Sequence, residues 1–277
     1  MDRINICAVC MYSELGEVEE NLKKTEDLCL KAAEKGADII CFPELSITGY
    51  ILKDPANILP RYYNNKYIIN KLIDICNRLN KVIIAGFIEF CESSCLPYIT
   101  QIITGPDSII GIYRKTHLSP IEQGIYRAGD DVPIYSFGDF LFGIQLCYEA
   151  HFPELSTLMA IKGVDIIFFP HASPRGTPKQ KLDSWLRHLR ARAFDNGIFI
   201  IACNQVGKVR NGLFFPGVAV AIGPNGKIIN YIFTERKDVI LPLSIDKSYL
   251  STFRSQYMGY FLPYRRPELY NDLIDKK

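Results

Sequence analysis

Three apolar runs that read as buried strands, residues 38–42, 109–114 and 141–146, each lead into a reactive side chain. Glu44 follows in Phe42-Pro43-Glu44, Lys115 in Tyr113-Arg114-Lys115, and Cys147 in Gln145-Leu146-Cys147-Tyr148-Glu149. This repeated layout constrains the fold, because open α/β sheets bind ligands outside the carboxyl ends of their strands. A single cysteine at a strand end is ordinarily a packing residue, and a glutamate or lysine just past a strand is ordinarily a solvated loop residue. Three such ends in one chain point to a shared site.

Each group has a defined chemical use there. A thiolate attacks carbonyl or nitrile carbon, but a free thiol with a pKa of about 8.5 needs a base or a positive neighbour at neutral pH. Glu44 is the candidate base, its carboxyl raised toward working pH by apolar neighbours such as Cys41, Phe42 and Pro43. Lys115 supplies positive charge, either to the sulfur or to a developing oxyanion shared with a backbone N–H, that of Tyr148. Loss of one such oxyanion donor typically costs about 2.7–4 kcal/mol of transition-state stabilisation.

Along the chain, strands alternate with helices. Strands are predicted near residues 4–11, 38–42, 82–88, 99–104, 109–114, 141–146, 166–169, 199–203, 218–222, 227–233 and 239–245. Helices are predicted at 17–35, 67–79, 154–162 and 178–196, and Gly105-Pro106-Asp107-Ser108 reads as a hairpin turn. Crossovers mixed with hairpins favour mixed sheets over a purely parallel one.

These residues resemble the nitrilase superfamily of carbon–nitrogen hydrolases. The likeness rests on Glu44 in Phe-Pro-Glu-Leu-Ser-Ile-Thr-Gly-Tyr, Lys115 in Tyr-Arg-Lys-Thr-His-Leu and Cys147 in Gln-Leu-Cys-Tyr-Glu-Ala-His-Phe-Pro-Glu, in that order and spacing. It continues through residues 190–197, 204–207, 223–226 and 265–270, and so covers nearly the whole chain. The resemblance implies an α/β fold, a four-layer αββα sandwich of two mixed β-sheets with outer helices. It implies a Glu44–Lys115–Cys147 catalytic set with Glu122 as the second glutamate that positions the lysine and the substrate. It also implies homodimers or higher homo-oligomers, with residues 251–277 as a C-terminal extension at the contact; residues 257–270 are rich in aromatic and basic side chains, which suits that role.

The expected reaction cleaves a small linear amide or N-carbamoyl compound through a thioester on Cys147, with ammonia release and no metal or organic cofactor. Glu149, two residues after the nucleophile, resembles the nitrilase branch, as does the short spacing from Lys115 to Glu122, whereas Tyr148 and Lys-Thr-His-Leu resemble amidases. A nitrile is therefore the alternative substrate. Residues 45–52 and 171–177 are the expected pocket loops, with Tyr50, His171 and Arg175 as candidate substrate contacts and Tyr148 and Trp185 as further aromatic lining. His117, His151, His171 and His188 are available to a Cys–His hydrolase, but a histidine base is unnecessary beside Glu44 and Lys115. A non-catalytic metabolite binder and a redox-sensing thiol protein are readings of a different class.

Composition narrows the rest. With 277 residues, 48% of them hydrophobic, and no linker, low-complexity tract or sequence repeat, one domain spanning 1–277 is expected. A net charge of +2 gives no electrostatic footprint for nucleic acid. No segment approaches the roughly 18 apolar residues of a membrane span, and the start of the chain reads as a strand rather than a signal peptide, so a soluble, cytoplasmic protein is expected. The nine scattered cysteines suit reduced thiols, and Cys7 and Cys10 read as structural.

Overall fold

The computed structural model describes residues 2–59 and 63–272. In the first half, β1 (Arg3–Cys10) leads to α1 (Val18–Glu34), β2 (Ile39–Cys41), the short α2 (Pro55–Ile58), α3 (Asn65–Leu79), β3 (Val82–Glu89), β4 (Tyr98–Gly105) and β5 (Ser108–Arg114). The second half runs β6 (Tyr135–Phe137), β7 (Phe140–Ile144), α4 (Pro153–Ile161), β8 (Ile166–His171), α5 (Pro178–Asn196) and β9 (Phe199–Asn204). It closes with β10 (Gly207–Lys208), β11 (Phe214–Phe215), β12 (Gly217–Ile222), β13 (Ile228–Thr234), β14 (Val239–Asp246) and α6 (Lys247–Arg254).

Two six-stranded sheets result, ordered β14-β1-β2-β3-β4-β5 and β6-β7-β8-β9-β12-β13, with β10 and β11 as a separate ribbon. Read in those directions, both sheets follow the same succession of one antiparallel pairing, two parallel and two antiparallel. The chain thus repeats a path that its sequence does not repeat. The sheets pack face to face through β1, β9, β12 and β14, with α1 and α3 outside the first and α4 and α5 outside the second. This is the expected αββα sandwich of mixed sheets.

The residue pattern explains the layering. β3, β8 and β9 are buried at every position, because strands covered on both faces carry largely continuous rather than alternating apolar residues. For the same reason Cys7 and Cys10, on opposite faces of β1, are both buried. Helix α1 instead buries one stripe, Val18, Leu22, Leu28, Cys29 and Ala32. The predicted hairpin turns at Pro106-Asp107, where Asp107 takes a left-handed φ of 65°. Among the described residues, no helix is long and apolar enough to cross a membrane.

The structure adds α2, β6, the β10–β11 ribbon and α6 to the elements read from sequence. Helix α6 crosses the expected start of the C-terminal extension at residue 251 and packs on its own domain through Leu250 and Phe253. Arg254 Nη1 lies 3.0 Å from Asp165 Oδ1, and its Nη2 donates to Val164 O at 2.7 Å. Beyond this helix the chain exposes apolar side chains, among them Tyr257, Met258, Tyr264 and Leu269. Residues 273–277 of the expected extension lie outside the described residues.

Candidate active site

Glu44 leaves β2 through Phe42-Pro43 into a tight loop whose backbone is pinned from three sides. Gln101 Nε2 donates to Phe42 O at 3.1 Å, Gln205 Nε2 to Glu44 O at 2.8 Å, and Ile47 N to Gly86 O at 2.9 Å. The loop presses on β3 at Gly86, where an added Cβ would stand 2.3 Å from Leu45 N. Glycine there is a packing requirement, and it fixes where the Glu44 carboxylate ends up.

That carboxylate is fully buried and bridges both sheets. Its Oε1 accepts from Lys115 Nζ at 2.7 Å and its Oε2 from the Ala172 N–H, just past β8, at 2.9 Å. Lys115 follows β5 and is equally buried; its Nζ also donates to Glu122 Oε1 at 2.8 Å. Glu122 in turn accepts from Tyr50 Oη at 3.0 Å and from Ser119 N at 2.7 Å. The ammonium thus lies between two carboxylates in a water-poor site, with every charged group hydrogen-bonded, the condition under which buried charge is tolerated.

Cys147 follows β7 at the start of a single 3-10 turn and adopts φ 43°. A left-handed backbone costs a residue with a Cβ, and such strain is characteristic of nucleophiles on sharp turns. The thiol is half-buried. Glu149 N donates to Leu146 O at 2.9 Å, whereas the Tyr148 N–H falls among the first amides of the turn, which have no partner within it. That amide is available to an oxyanion.

Glu149 holds the turn from below. Its Oε2 accepts from Leu146 N at 2.5 Å, and its Oε1 accepts from Thr116 N at 2.7 Å, Thr116 Oγ1 at 2.6 Å and His117 N at 3.2 Å. Tyr113 Oη donates to both oxygens, at 2.8 and 2.9 Å. One buried carboxylate therefore ties the Cys147 turn to the residues next to Lys115. The sequence presented Glu149 only as a marker of substrate branch.

Electrostatics set the resting protonation. Burial raises the Glu44 carboxyl above its ordinary value; Lys115 opposes this and Glu122 adds to it. Burial alone would lower the Lys115 ammonium, but Glu44 and Glu122 overcome it and hold the lysine well above its ordinary range. Desolvation and the Glu44 charge push the Cys147 thiol upward against the pull of Lys115. The thiol is therefore held in its neutral form, and any bond formed by the sulfur requires that proton to leave.

A cavity of about 200 Å³ opens onto this cluster. Its lining includes Tyr50, Lys115, Glu122, Cys147, Tyr148 and His171, and Trp185 lies against His171 with ring centroids 4.0 Å apart. Arg175 does not line it. That side chain is exposed and its amide donates to Phe214 O at 2.9 Å, with φ 75° turning the loop away. His117 also lies elsewhere, against Phe152. The sequence reading missed Lys181 and Ser184, which line the cavity beside Trp185, and weighed His188, also in the lining, only as a base. The signal was present: 181, 184, 185 and 188 have the spacing of one face of α5.

Residues 6–254 match the sequence model of the carbon-nitrogen hydrolase family. A probable nitrilase of Schizosaccharomyces pombe is 28% identical over 98% of this chain and 99% of its own length. An N-carbamoylputrescine amidase of Arabidopsis thaliana is 27% identical over 93% and 91%. The crystal structure of a carbon-nitrogen hydrolase from Helicobacter pylori G27 superposes with a TM-score of 0.86, at 23% identity, over 99% of each chain. With a family match across most of its length and the same fold from end to end, the chain belongs to the carbon–nitrogen hydrolase family.

Proposed function

We propose that this protein is a cysteine-dependent amidohydrolase that cleaves a small linear amide or N-carbamoyl compound. The observation that carries the reading is the buried Lys115 ammonium held 2.7 Å from Glu44 and 2.8 Å from Glu122 at the cavity that Cys147 also lines. Glu44 takes the thiol proton as sulfur bonds to the substrate carbon. Lys115 and the Tyr148 N–H stabilise the oxyanion, and Glu122 holds Lys115. The carbon–nitrogen bond then breaks, with the Glu44 proton passing to the departing nitrogen. Water, deprotonated by the same Glu44, hydrolyses the thioester and frees Cys147. A primary amide yields acid and ammonia; an N-carbamoyl compound yields its amine and a carbamate, which decomposes to carbon dioxide and ammonia.

We extend the proposal to a cytoplasmic homo-oligomer in which residues beyond α6 contribute to the contact, a reading supported by the exposed Tyr257, Met258, Tyr264 and Leu269. Sedimentation of the full chain against a chain ending at Ser255 checks it: loss of the larger species is the expected outcome, and unchanged sedimentation contradicts it. The catalytic reading is tested by intact-mass spectrometry after brief exposure to small amides and nitriles. A mass increase matching the substrate acyl group, mapped to Cys147, is expected. Turnover with no covalent adduct under quenched conditions, and no loss in Cys147→Ala, would overturn it. A thioimidate from a nitrile with no turnover of amides would move the assignment to nitrile hydrolysis.

A further inference from the structure

The charges lining the cavity do not balance around its outer wall. Glu122 is committed to Lys115, Tyr50 and Ser119 N. His171 donates its Nδ1–H to Phe169 O at 2.7 Å, and burial holds the ring well below its ordinary pKa, so it is neutral. His188 is pushed down to about 4 by burial, with further lowering from His151, Arg192 and Arg187. Lys181 is left. Its Nζ donates to Ser173 Oγ at 2.8 Å and Pro174 O at 2.9 Å, both neutral, and no carboxylate among the described residues forms an ion pair with it. An ammonium has three donors, so one remains for a ligand.

The position of Lys181 is fixed by its helix. Thr177 Oγ1 accepts from Gln180 N at 3.2 Å, Gln180 Oε1 accepts from Thr177 N at 3.0 Å, and Pro178 begins α5. Lys181 stands one turn before Trp185 on the same face, and the charge of Lys181 reaches Cys147, where it favours the thiolate. Ser119 Oγ, also in the lining, is buried without a partner among the described residues and adds an unmet hydroxyl. A cavity of about 200 Å³ limits the substrate to a few carbons, so a group at its far end falls within reach of this wall.

We propose that Lys181 is a specificity-determining residue that pairs with a carboxylate at the far end of the substrate, making the preferred substrate a short anionic amide or N-carbamoyl acid. The proposal rests on the hydrolase reading above and narrows it. A partly desolvated ammonium without a counter-ion rewards a carboxylate with a charge-assisted hydrogen bond and repels a cationic chain end. A positively charged substrate such as N-carbamoylputrescine is therefore disfavoured here, although a relative is named for it.

The test compares kcat/KM of the full-length enzyme for succinamate, neutral 4-methylpentanamide and cationic 4-aminobutanamide, which share a chain length and an amide end. Succinamate is expected to lead. The succinamate to 4-methylpentanamide ratio should fall by about tenfold or more in Lys181→Gln, the scale of one charged hydrogen bond. Lys181→Arg should restore most of it, and Lys181→Glu should shift preference to 4-aminobutanamide. A wild-type ratio at or below one overturns the proposal. So does an equal loss on both substrates in Lys181→Gln, which would make Lys181 a brace for Ser173 and Pro174. Calorimetric binding of the same compounds to Cys147→Ala separates the two readings. Tighter binding of succinamate supports the charge assignment even if chemistry fails, and equal or absent binding of all three overturns it.

Discussion

A buried ammonium between two buried carboxylates carries one net negative charge when both acids are ionised, and adding a thiolate would make two. In the proposed reaction, the residues around Cys147 therefore favour proton transfer to Glu44 during attack over a preformed thiolate. The sign of the pH dependence follows. Glu44 must be ionised to accept the proton and its pKa is raised, so kcat/KM for a neutral amide should climb with pH through a midpoint above the ordinary glutamate value of about 4.3. Replacing Glu44 with Gln removes a negative charge and leaves Lys115, so the Cys147 thiol should ionise at lower pH than in the wild type. Titration by thiolate ultraviolet absorbance checks this, and an upward shift would contradict it. Gly86→Ala forces its methyl group against Leu45 N, and overpacking of this kind costs about 1–3 kcal/mol. Activity should fall further than the urea midpoint indicates, because the displaced backbone carries Glu44. In Glu149→Gln an amide NH2 must face backbone donors that the carboxylate accepted, a loss of about 1.5–3 kcal/mol. It should lower kcat more than it raises KM, and the reverse split would make Glu149 a substrate-binding group instead.

At the scale of elements, much of the site was legible because chemistry sits where hydrophobic runs stop. The strand ends at Glu44, Lys115 and Cys147 were visible in sequence, and α5 was predicted with both of its observed ends, Pro178 and Asn196. Helix α5 announces itself through Pro at its first turn, a Thr177–Gln180 capping box and left-handed Gly197 after its end. Thr177→Ala should cost about 1 kcal/mol in urea unfolding and loosen the turn that carries Lys181; an unchanged midpoint would show that this cap contributes little. The short α2 and β6 offered too few residues for a period to register. Helix α6 was missed despite its Asp246 cap and Leu250–Phe253 spacing, because it directly continues a strand. Arg175 looked like an anion ligand from its residue type alone, but only the turn of the backbone decides which way such a loop residue faces. Lys181 fills the cavity wall instead.

At the scale of the whole molecule, two sheets with the same succession of pairings bring their strand ends to one place. The first sheet delivers Glu44 and Lys115, the second delivers Cys147, His171 and the Ala172 amide, and the Glu44 carboxylate is bonded to both. Neither half holds all of the proposed catalytic groups, so they come together only when the sandwich is closed. No sequence repeat foretold this symmetry, since pairing order is a property of the path and leaves no residue pattern behind. The most direct test of the account is ammonia release from a panel of small amides, ω-amides, N-carbamoyl compounds and nitriles by the wild-type chain and by Cys147→Ala. The account predicts turnover of amide or N-carbamoyl substrates that disappears in the variant; equal turnover by both proteins would contradict it.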